Sequence, residues 1–328
     1  MRLLVLSGDE VHKHLTARDC RDLMREALLA LAGGEVFLPL RTVVRPPGLA
    51  GLLALMSTHV DGERPSFGMK SVCVFHGNPE RGKDAHQGVV TLFDHETGEP
   101  LAIMNAAAIT EVRTAAVSAL ATEALARRDA NVLTIFGTGT QAKAHLRALA
   151  DVRPFTEVRV VSRDPANARA FAETETSGVA VPITAFSDPE EAVAGADVIV
   201  TATTSHDPVL FRDWVAPGAH VNAVGSSIPV AAELDPHLIA AASLWCDRKE
   251  SLVNESGDYL RAVEAGVVTE PDVRGELGEI LAGTIAARTS DAEITVFKSL
   301  GLAVEDVVAA RHLYEVAVRA GLGQWVEF

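Results

Sequence analysis

The length, composition and charge of the chain exclude several classes of protein. Its 328 residues exceed the roughly 150 of a typical domain and predict two domains. A composition of 48% hydrophobic and 22% charged residues is that of an ordinary globular protein, which excludes a disordered or collagen-like chain. The net charge of −15 argues against nucleic acid or an anionic membrane surface as a partner.

Cysteine usage and the N-terminus point to a cytoplasmic protein. Cys20, Cys73 and Cys246 show no CxxC spacing and fit a reduced cytosolic protein better than a disulfide framework. The apolar run at residues 3–6 is too short for a signal-peptide core. No window reaches the roughly 18 apolar residues that a membrane-spanning helix needs.

The first third of the chain predicts mixed helix and strand. Helical spacing of apolar residues predicts a helix over Thr16–Ala32, ended by Gly33-Gly34. Most of the connections between the following β-like runs are too short for a crossover helix, so we expect mainly antiparallel pairing. These predicted strands cover residues 41–45, 51–56, 69–75, 89–93 and 101–104.

An Ala-rich helix, Ala106–Arg127, leads into strands that alternate with helices, which is typical of crossover units on a buried parallel sheet. A helix over about residues 303–321 is expected to return to the first domain. The prediction is an α/β fold, with a Rossmann-type doubly wound dinucleotide-binding domain at 129–303 inserted in an α+β domain at 1–128 and 304–328. The predicted strands of the inserted domain cover residues 131–136, 158–161, 179–185, 198–201, 219–224 and 244–246.

The loop Gly137-Thr138-Gly139-Thr140-Gln141-Ala142 follows a buried strand and opens a helix. The first glycine permits a tight turn, the second lets the backbone approach a pyrophosphate, and the small third residue packs helix on strand. The helix N-terminus faces the phosphate charge. Residues 137–141 of this loop are therefore predicted to bind a dinucleotide cofactor.

The end of the next strand bears on the choice of cofactor. NAD enzymes usually carry an acidic residue there for the ribose 2′-hydroxyl, whereas this chain has Ser162 followed by Arg163. Asp164 precedes Pro165 and is interpreted as a helix N-cap. Ser162 and Arg163 are therefore predicted cofactor contacts, with Arg163 on a 2′-phosphate. NADP(H) is preferred, and a site that also accepts NAD(H) remains open.

Several segments together form a specific pattern along nearly the whole chain. The segments are HQGV at 86–89, DHETG at 94–98, ITEVRTAA at 109–116, the GTGTQA loop, HVNAVG at 220–225, ESGD at 255–258, ELGEILAG at 276–283 and TVFKSLGLAVED at 295–306. In their order and spacing they resemble the ornithine cyclodeaminase/mu-crystallin family.

The resemblance implies a homodimer whose substrate-binding and dimerisation domain combines the N-terminal part with the C-terminal helix, beside a Rossmann domain. It places the two groups that hold the substrate carboxylate on Arg41 and Lys70. The chemistry is reasonable, because an arginine fork grips a carboxylate bidentately and an ammonium adds a point charge. Lys70, if desolvated, is also the candidate catalytic group that exchanges a proton with the reacting nitrogen. Read without the family, each residue is more typical of an exposed strand cation.

The resemblance extends to further residues of the two domains. Leu300 is predicted to line the substrate pocket, whereas Glu255 could line that pocket or belong to a solvated helix start. His86 has a structural role as an equal alternative. The cofactor-contacting positions implied by the family fall on His86, Arg113, Thr203, Ser227 and Ser299.

Departures from the family pattern separate its activities. In ornithine cyclodeaminases an aspartate and a lysine assist deamination at the positions of Ser227 and Ala231, and an acid contacts the distal amine at the position of Ala54. Without these groups cyclodeamination is disfavoured, and Ser227 is similar to mu-crystallin, whose relatives reduce ketimines.

The predicted function is an NAD(P)H-dependent reductase of small α-imino acids, equivalently an amino-acid dehydrogenase. Candidate substrates are pyrroline-2-carboxylate and other ketimines, linear imines, or alanine. A cyclodeaminase using NAD⁺ and a mu-crystallin-like binding protein are the alternatives. No metal is expected, because the chain has no HExxH, GxSxG or clustered Cys/His spacing.

Overall fold

The computed structural model describes residues 2–328, apart from the side chain of Pro79. Contacts divide the chain into two units: the first comprises the chain up to Arg113 together with Leu302–Phe328, and the second comprises Thr114–Gly301. The prediction put the first boundary after residue 128. The division falls earlier because the second half of the long helix carries Ala115 and Ala119 into the core of the second unit.

The first unit is built on one mixed sheet of eight strands. Its strands are β1 (Arg2–Leu6), β2 (Val36–Phe37), β3 (Thr42–Val44), β4 (Leu52–Val60), β5 (Ser66–Val74), β6 (His86–Phe93), β7 (Pro100–Asn105) and, near the C-terminus, β16 (Gln324–Glu327). The order is β16-β1-β7-β6-β5-β4-β2, with β3 also paired to β4. Every pair is antiparallel except β1 with β7, so the predicted antiparallel character is confirmed.

Helices cover one face of this sheet. They are α1 (Gly8–His14), α2 (Ala17–Ala32), the first part of α3 (Ala106–Leu125), and α11 (Ala303–Ala320). Thr16 caps α2 by accepting the Asp19 N–H at 3.1 Å, as the predicted start of that helix requires. Helix α11 packs against β4, β5 and β6, and α2 packs against α11. Buried Met24 and Leu28 of α2 and Leu92 of β6 belong to the resulting core.

The second unit is a parallel sheet of eight strands with helices between them, which confirms the predicted Rossmann-type fold class. Its strands are β8 (Val132–Phe136), β9 (Glu157–Val161), β10 (Ile183–Phe186), β11 (Val198–Thr201), β12 (His220–Ala223), β13 (Ser243–Cys246), β14 (Val273–Glu276) and β15 (Thr295–Lys298). Its helices, after the second part of α3, are α4 (Thr140–Ala150), α5 (Pro165–Glu175), α6 (Pro189–Val193), α7 (Pro236–Ala241), α8 (Lys249–Glu255), α9 (Gly257–Glu264) and α10 (Leu277–Leu281).

The strand order of the second unit defines where a ligand would bind. It runs β10-β9-β8-β11-β12-β15-β13-β14, so the order reverses between β8 and β11. Ligands of such sheets bind at the carboxyl ends of the strands beside this reversal. The expected strand at 179–185 is limited to Ile183–Phe186, because the preceding residues form a 3₁₀ turn and a loop. Strands β1, β2, β14, β15 and β16 were not predicted.

Candidate active site

The glycine loop of the second unit lies at the strand-order reversal. Gly137 follows β8 with φ +108°, a conformation that L side chains rarely adopt. A Cβ on Gly137 would lie 2.5 Å from the Ala202 carbonyl oxygen, just beyond β11. The Gly137 N–H donates to the Val161 carbonyl at 2.8 Å, so the loop is held between the ends of β9 and β11. This position therefore requires glycine.

The start of α4 is suited to a phosphate. Gly139 is the N-cap residue and has no side chain to cap the helix, and no other protein atom lies within 4 Å of a Cβ built there. Thr138 lies in the loop before it, and Thr140 and Gln141 begin the helix. Ala142 is fully buried against the core of this unit, so the small third residue packs as predicted. Open space above a helix N-terminus fits the pyrophosphate of a dinucleotide.

The end of β9 confirms the interpretation of Asp164. Its carboxylate accepts the Ala166 N–H at 2.9 Å and Pro165 is the first residue of α5, so Asp164 caps the helix. Ser162 is half-buried and Arg163 is exposed at the same strand end. Arg163 thus lies at the strand end where the 2′-phosphate of a cofactor would bind. Its contact with the cofactor stays a prediction.

A buried carboxylate at the ends of β11 and β12 was missed by sequence reasoning. Glu233 is fully buried and accepts hydrogen bonds from the Thr201 hydroxyl at 2.9 Å, the Thr203 N–H at 2.6 Å and the Gly225 N–H at 2.7 Å. Burial raises the pKa of Glu233. Glu233 therefore ties together the loops after two neighbouring strands. No sequence signal marked it, because it lies outside every motif.

Glu233 is itself held by a buried ion pair. Asp258 accepts the N–H groups of Glu233 at 2.6 Å and Leu234 at 2.9 Å, and it pairs with Lys298 at 2.9 Å. Asp258 and Lys298 are each 1% exposed. Both stand in segments that carried the family resemblance, which was the available signal for them. The network fixes the strand ends to which Thr203 belongs.

The remaining predicted residues of the second unit lie in strand-end loops or in the core. Ser227 is half-buried in the loop after β12, and Ser299 is buried directly after β15. Leu300 is 4% exposed and packs in the apolar core, while its N–H donates to Asp247 at 2.6 Å. Glu255 is buried at the end of α8. The cofactor and substrate contacts assigned to these residues stay predictions.

In the first unit, register places the predicted carboxylate ligands in one row. Met56 of β4 is opposite Lys70 of β5, which is opposite Val90 of β6. Directly opposed residues share a face of the sheet. Thr42 of β3 is opposite Leu55, so Arg41, one residue earlier, continues the register to Met56. Arg41 and Lys70 therefore lie on one face, two strands apart, or about 10 Å between backbones.

Lys70 is the buried group of this row. It is 4% exposed, its ammonium pairs with Asp306 at 2.7 Å, and it donates to the Thr110 hydroxyl at 3.5 Å. Burial lowers the pKa of Lys70 from its ordinary 10.5 to about 8, although the attraction of Asp306 raises it. A lysine of this kind can exchange a proton near neutral pH.

Arg113 lies beside Lys70 rather than on a solvated helix face. It is 4% exposed, and its guanidinium donates to Glu305 at 2.5 Å and to Asp306 at 3.2 Å. Glu305 and Asp306, in the first turn of α11, were missed as site residues. The signal was two adjacent acids that begin a helix with an apolar stripe. The contact of Arg113 with a cofactor stays a prediction.

His86 is the first residue of β6, and its side chain is only partly open to solvent. The charge of Lys70 contributes to a lowered pKa of His86, although burial of the ring is the larger cause and His76 adds to it. His86 is therefore near the row of Arg41 and Lys70. Its predicted contact with the cofactor is not decided by this position.

The described residues show neither a cluster of metal ligands nor a membrane-spanning helix. Among residues 2–328, no three His, Cys, Asp or Glu side chains cluster as metal ligands would. Within the same range, no helix has both the length and the apolar character to cross a membrane.

Fold and site together define a two-unit α/β protein with a glycine loop at the strand-order reversal of one unit and a buried lysine beside an arginine in the other. The model of the ornithine cyclodeaminase/mu-crystallin family matches residues 1–321. The chain belongs to the ornithine cyclodeaminase/mu-crystallin family, and the resemblance drawn from its motifs is confirmed.

Two characterised relatives span nearly the whole chain. A Delta(1)-pyrroline-2-carboxylate reductase of Bacillus cereus is 37% identical and covers 99% of this chain and 100% of its own. The ketimine reductase mu-crystallin of Mus musculus is 40% identical and covers 94% of this chain and 96% of its own.

Two solved structures have the same fold along their whole length. A Delta(1)-pyrroline-2-carboxylate reductase of Thermococcus litoralis, in complex with NADH and L-proline, has a TM-score of 0.95 at 34% identity and covers 98% of this chain and 99% of its own. An archaeal alanine dehydrogenase dimer with bound NAD has a TM-score of 0.94 at 33% identity and covers all of both chains.

Proposed function

We propose that this protein is an NAD(P)H-dependent oxidoreductase that reduces small α-imino acids, or equivalently dehydrogenates the corresponding amino acids. The observation that carries the proposal is buried Lys70 in one row with Arg41, in a chain whose second unit has a dinucleotide loop. The names of the pyrroline-2-carboxylate reductase and ketimine reductase relatives support the substrate class.

The substrate is held through its one constant feature, the carboxylate. Arg41 would grip this group with its guanidinium fork, and the Lys70 ammonium would add a second positive charge. A carboxylate fixed at two points sets the direction of the α-carbon and the adjoining nitrogen. Such orientation is a large part of catalysis for a reaction between two bound molecules.

The proton comes from Lys70. A nicotinamide cofactor held by the glycine loop would supply the chemistry of hydride transfer at the substrate α-carbon. Imine reduction also needs a proton on nitrogen, and a lysine whose pKa is about 8 is charged at neutral pH yet gives up a proton readily. Arg41 and Lys70 belong to the first unit, whereas the glycine loop, Ser162 and Arg163 belong to the second.

The preferred cofactor is NADP(H), with NAD(H) accepted. Ser162 supplies no carboxylate at the end of β9, Asp164 is committed to capping α5, and exposed Arg163 offers a cation to a 2′-phosphate. The two solved relatives hold NADH and NAD, which supports use of the unphosphorylated cofactor as well.

Ornithine cyclodeamination is not proposed. Ser227 and Ala231 replace the acid and the lysine that the family uses for it. Ala231 is buried, and its carbonyl oxygen accepts the hydroxyl of Ser226, so this position offers backbone structure rather than a functional group.

We further propose a cytoplasmic homodimer formed through the first unit. Its sheet exposes Phe37, Val44 and Phe67 at 73%, 46% and 46%, and their register places them on one face. Apolar side chains exposed on neighbouring strands mark association surfaces. The archaeal relative described as a dimer supports the assembly, and sedimentation of the purified protein tests it.

One kinetic panel tests the proposed activity. NADPH and NADH oxidation is followed with pyrroline-2-carboxylate and with pyruvate plus ammonia or methylamine, and NAD⁺ reduction is followed with ornithine, L-proline and L-alanine. Turnover of an imine or of its amino acid supports the proposal. Ligand binding without oxidation across the panel would establish a binding protein instead, and ammonia release from ornithine would establish a cyclodeaminase.

A further inference from the structure

Asp306 connects the two buried cations of the first unit. Its side chain is fully buried in the first turn of α11. Oδ2 lies 2.7 Å from the Lys70 ammonium, and Oδ1 accepts from the Arg113 guanidinium at 3.2 Å. One carboxylate thus uses a different oxygen for each cation. Because Arg113 anchors it from the other side, Asp306 has a defined position independent of Lys70.

A close approach of helix and sheet makes this contact possible. Gly68 lies two residues before Lys70 on the same face of β5. A Cβ on Gly68 would lie 2.5 Å from a methyl carbon of Val307, the residue after Asp306. The missing side chain lets the first turn of α11 approach the strand, and Asp306 then reaches the ammonium directly.

Charged groups face Lys70 from every element packed around it. Helix α11 contributes Asp306 and, one residue before it, Glu305, which pairs with Arg113 at 2.5 Å. Helix α3 contributes Arg113, and Arg41 lies on the sheet side before β3. His86 at the start of β6 is near enough to feel the charge of Lys70. Two carboxylates therefore offset two buried cations, while Arg41 adds repulsion.

Resting on the proposed function, we propose that Asp306 is a positioning residue, which keeps the Lys70 ammonium protonated and directed at the substrate in a pocket whose burial would otherwise discharge it. Without the carboxylate, burial and the neighbouring guanidinium groups all favour the neutral amine. A neutral Lys70 neither attracts the substrate carboxylate nor has a proton to give at neutral pH.

The proton balance of the step is simple. The imine nitrogen forms a bond to a proton as the Lys70 N–H bond breaks, and the α-carbon gains the hydride. The substrate imine is reduced to the amine and the cofactor is oxidised. Lys70 remains as a neutral amine and regains a proton from water. Asp306 remains beside Lys70 and favours the return of that proton before the next turnover.

The kinetic test compares the pH dependence of kcat/KM for pyrroline-2-carboxylate in wild type and Asp306→Asn, which conserves shape and removes charge. Wild-type activity should fall above about pH 8, as Lys70 loses its proton. In Asp306→Asn this alkaline limb should move down by at least about one pH unit. Activity should then recover toward wild type as the pH is lowered. Substrate ionisation is common to both proteins, so the difference belongs to the enzyme.

A loss that is equal at all pH values would overturn the proposal, because it would indicate a purely structural role. Asp306→Glu restores the charge and should move the limb back toward wild type. It is also the second variant if Asp306→Asn does not fold. If Asp306→Glu folds but its alkaline limb lies at least about one pH unit below that of wild type, the variant behaves as expected for a neutral side chain. That result contradicts the proposal as well.

A measurement without substrate separates this proposal from the proposed function. The chain has only six lysines, so ¹³C-labelled lysine side chains can be titrated by NMR, with Lys70→Arg assigning the Lys70 signal. The Lys70 midpoint should lie near pH 8 in wild type and lower in Asp306→Asn. Asp258→Asn, which removes another buried Asp–Lys pair at 2.9 Å, should leave the Lys70 midpoint unchanged.

If the midpoint shifts but no imine is reduced, the coupling of Asp306 to Lys70 stands and the proposed function fails. If imines are reduced and the midpoint does not move, the function stands and Asp306 is not the positioning residue.

Discussion

The two units would bind anions with different kinds of groups. In the second unit the proposed phosphate site is made mainly from backbone, with a positive-φ glycine and an uncapped helix start, beside the exposed side chain of Arg163. In the first unit the proposed carboxylate site is made from side chains, with Lys70 buried beside Arg113 and Asp306. Backbone dipoles carry no net charge, so they need no counter-ions, whereas buried ammonium and guanidinium groups do.

This difference explains how a chain of net charge −15 can bind anionic ligands. Whole-chain charge describes mainly the solvated surface. The first unit uses two of its carboxylates, Glu305 and Asp306, to keep cations charged inside the protein. The second unit uses Asp258 and Glu233 to hold loop backbones at the strand ends. Acidic residues thus support both sites without facing the ligand.

The largest expected effect is at Lys70, the group on which the side-chain site depends. Lys70→Ala should lower kcat/KM by about 10²–10⁴-fold, the usual contribution of a general acid. Lys70→Arg is the matched control, because it keeps a cation for the carboxylate but holds its proton too tightly to give it up. Steady-state kinetics should show a raised KM in Lys70→Ala only, and a lowered kcat in both variants. Near-wild-type kcat/KM in Lys70→Ala on every imine would end the assignment.

The backbone-built site is tested at Gly137. An alanine there must adopt φ +108° and place its Cβ 2.5 Å from the Ala202 oxygen, so the loop must shift. We expect NADPH affinity to fall by about 10- to 100-fold, as a strain of 1–3 kcal/mol implies, and Tm to fall as well. Gly139→Ala meets no protein atom, so it should keep the wild-type Tm while still obstructing the pyrophosphate. Fluorescence titration and thermal unfolding measure both effects, and equal Tm losses in the two variants would contradict this account.

Arg41 tests whether the row across β3, β4 and β5 is the carboxylate site. Arg41→Ala should raise KM for the imino acid by about 10- to 100-fold, because a charge-assisted hydrogen bond contributes about 1.5–3 kcal/mol. The affinity for NADPH should not change. Arg45→Ala, which removes an exposed arginine after the same strand, serves as the control and should leave KM as in wild type. A KM unchanged in Arg41→Ala would place the carboxylate elsewhere.

The smallest expected effect is at Arg163, the solvated charge of the cofactor site. Arg163→Ala should weaken NADPH binding by about tenfold, or 1.4 kcal/mol, and leave NADH binding unchanged, because only NADPH has the 2′-phosphate. Raising the salt concentration should weaken the preference in wild type. Arg169→Ala on exposed α5 surface is the matched control. Unchanged NADPH affinity in Arg163→Ala would remove the basis for NADP preference.

Local pattern was enough to predict much of this protein. The alternation of strands with helices after residue 131, the glycine loop and the capping role of Asp164 all depend on neighbours in sequence, and the structure confirms them. The family, too, could be identified from segments whose order and spacing are visible in the chain, and its model matches residues 1–321.

Only the tertiary structure placed the groups that come from distant parts of the chain. Lys70 and Asp306 are separated by more than two hundred residues, and nothing near either one indicates the other. The division within α3 likewise follows from which core each half of that helix contacts. The charge state of Lys70 depends on burial and on four elements around it. Residue type at position 70 permits proton exchange, and packing brings the pKa of that lysine near the pH at which the exchange is useful.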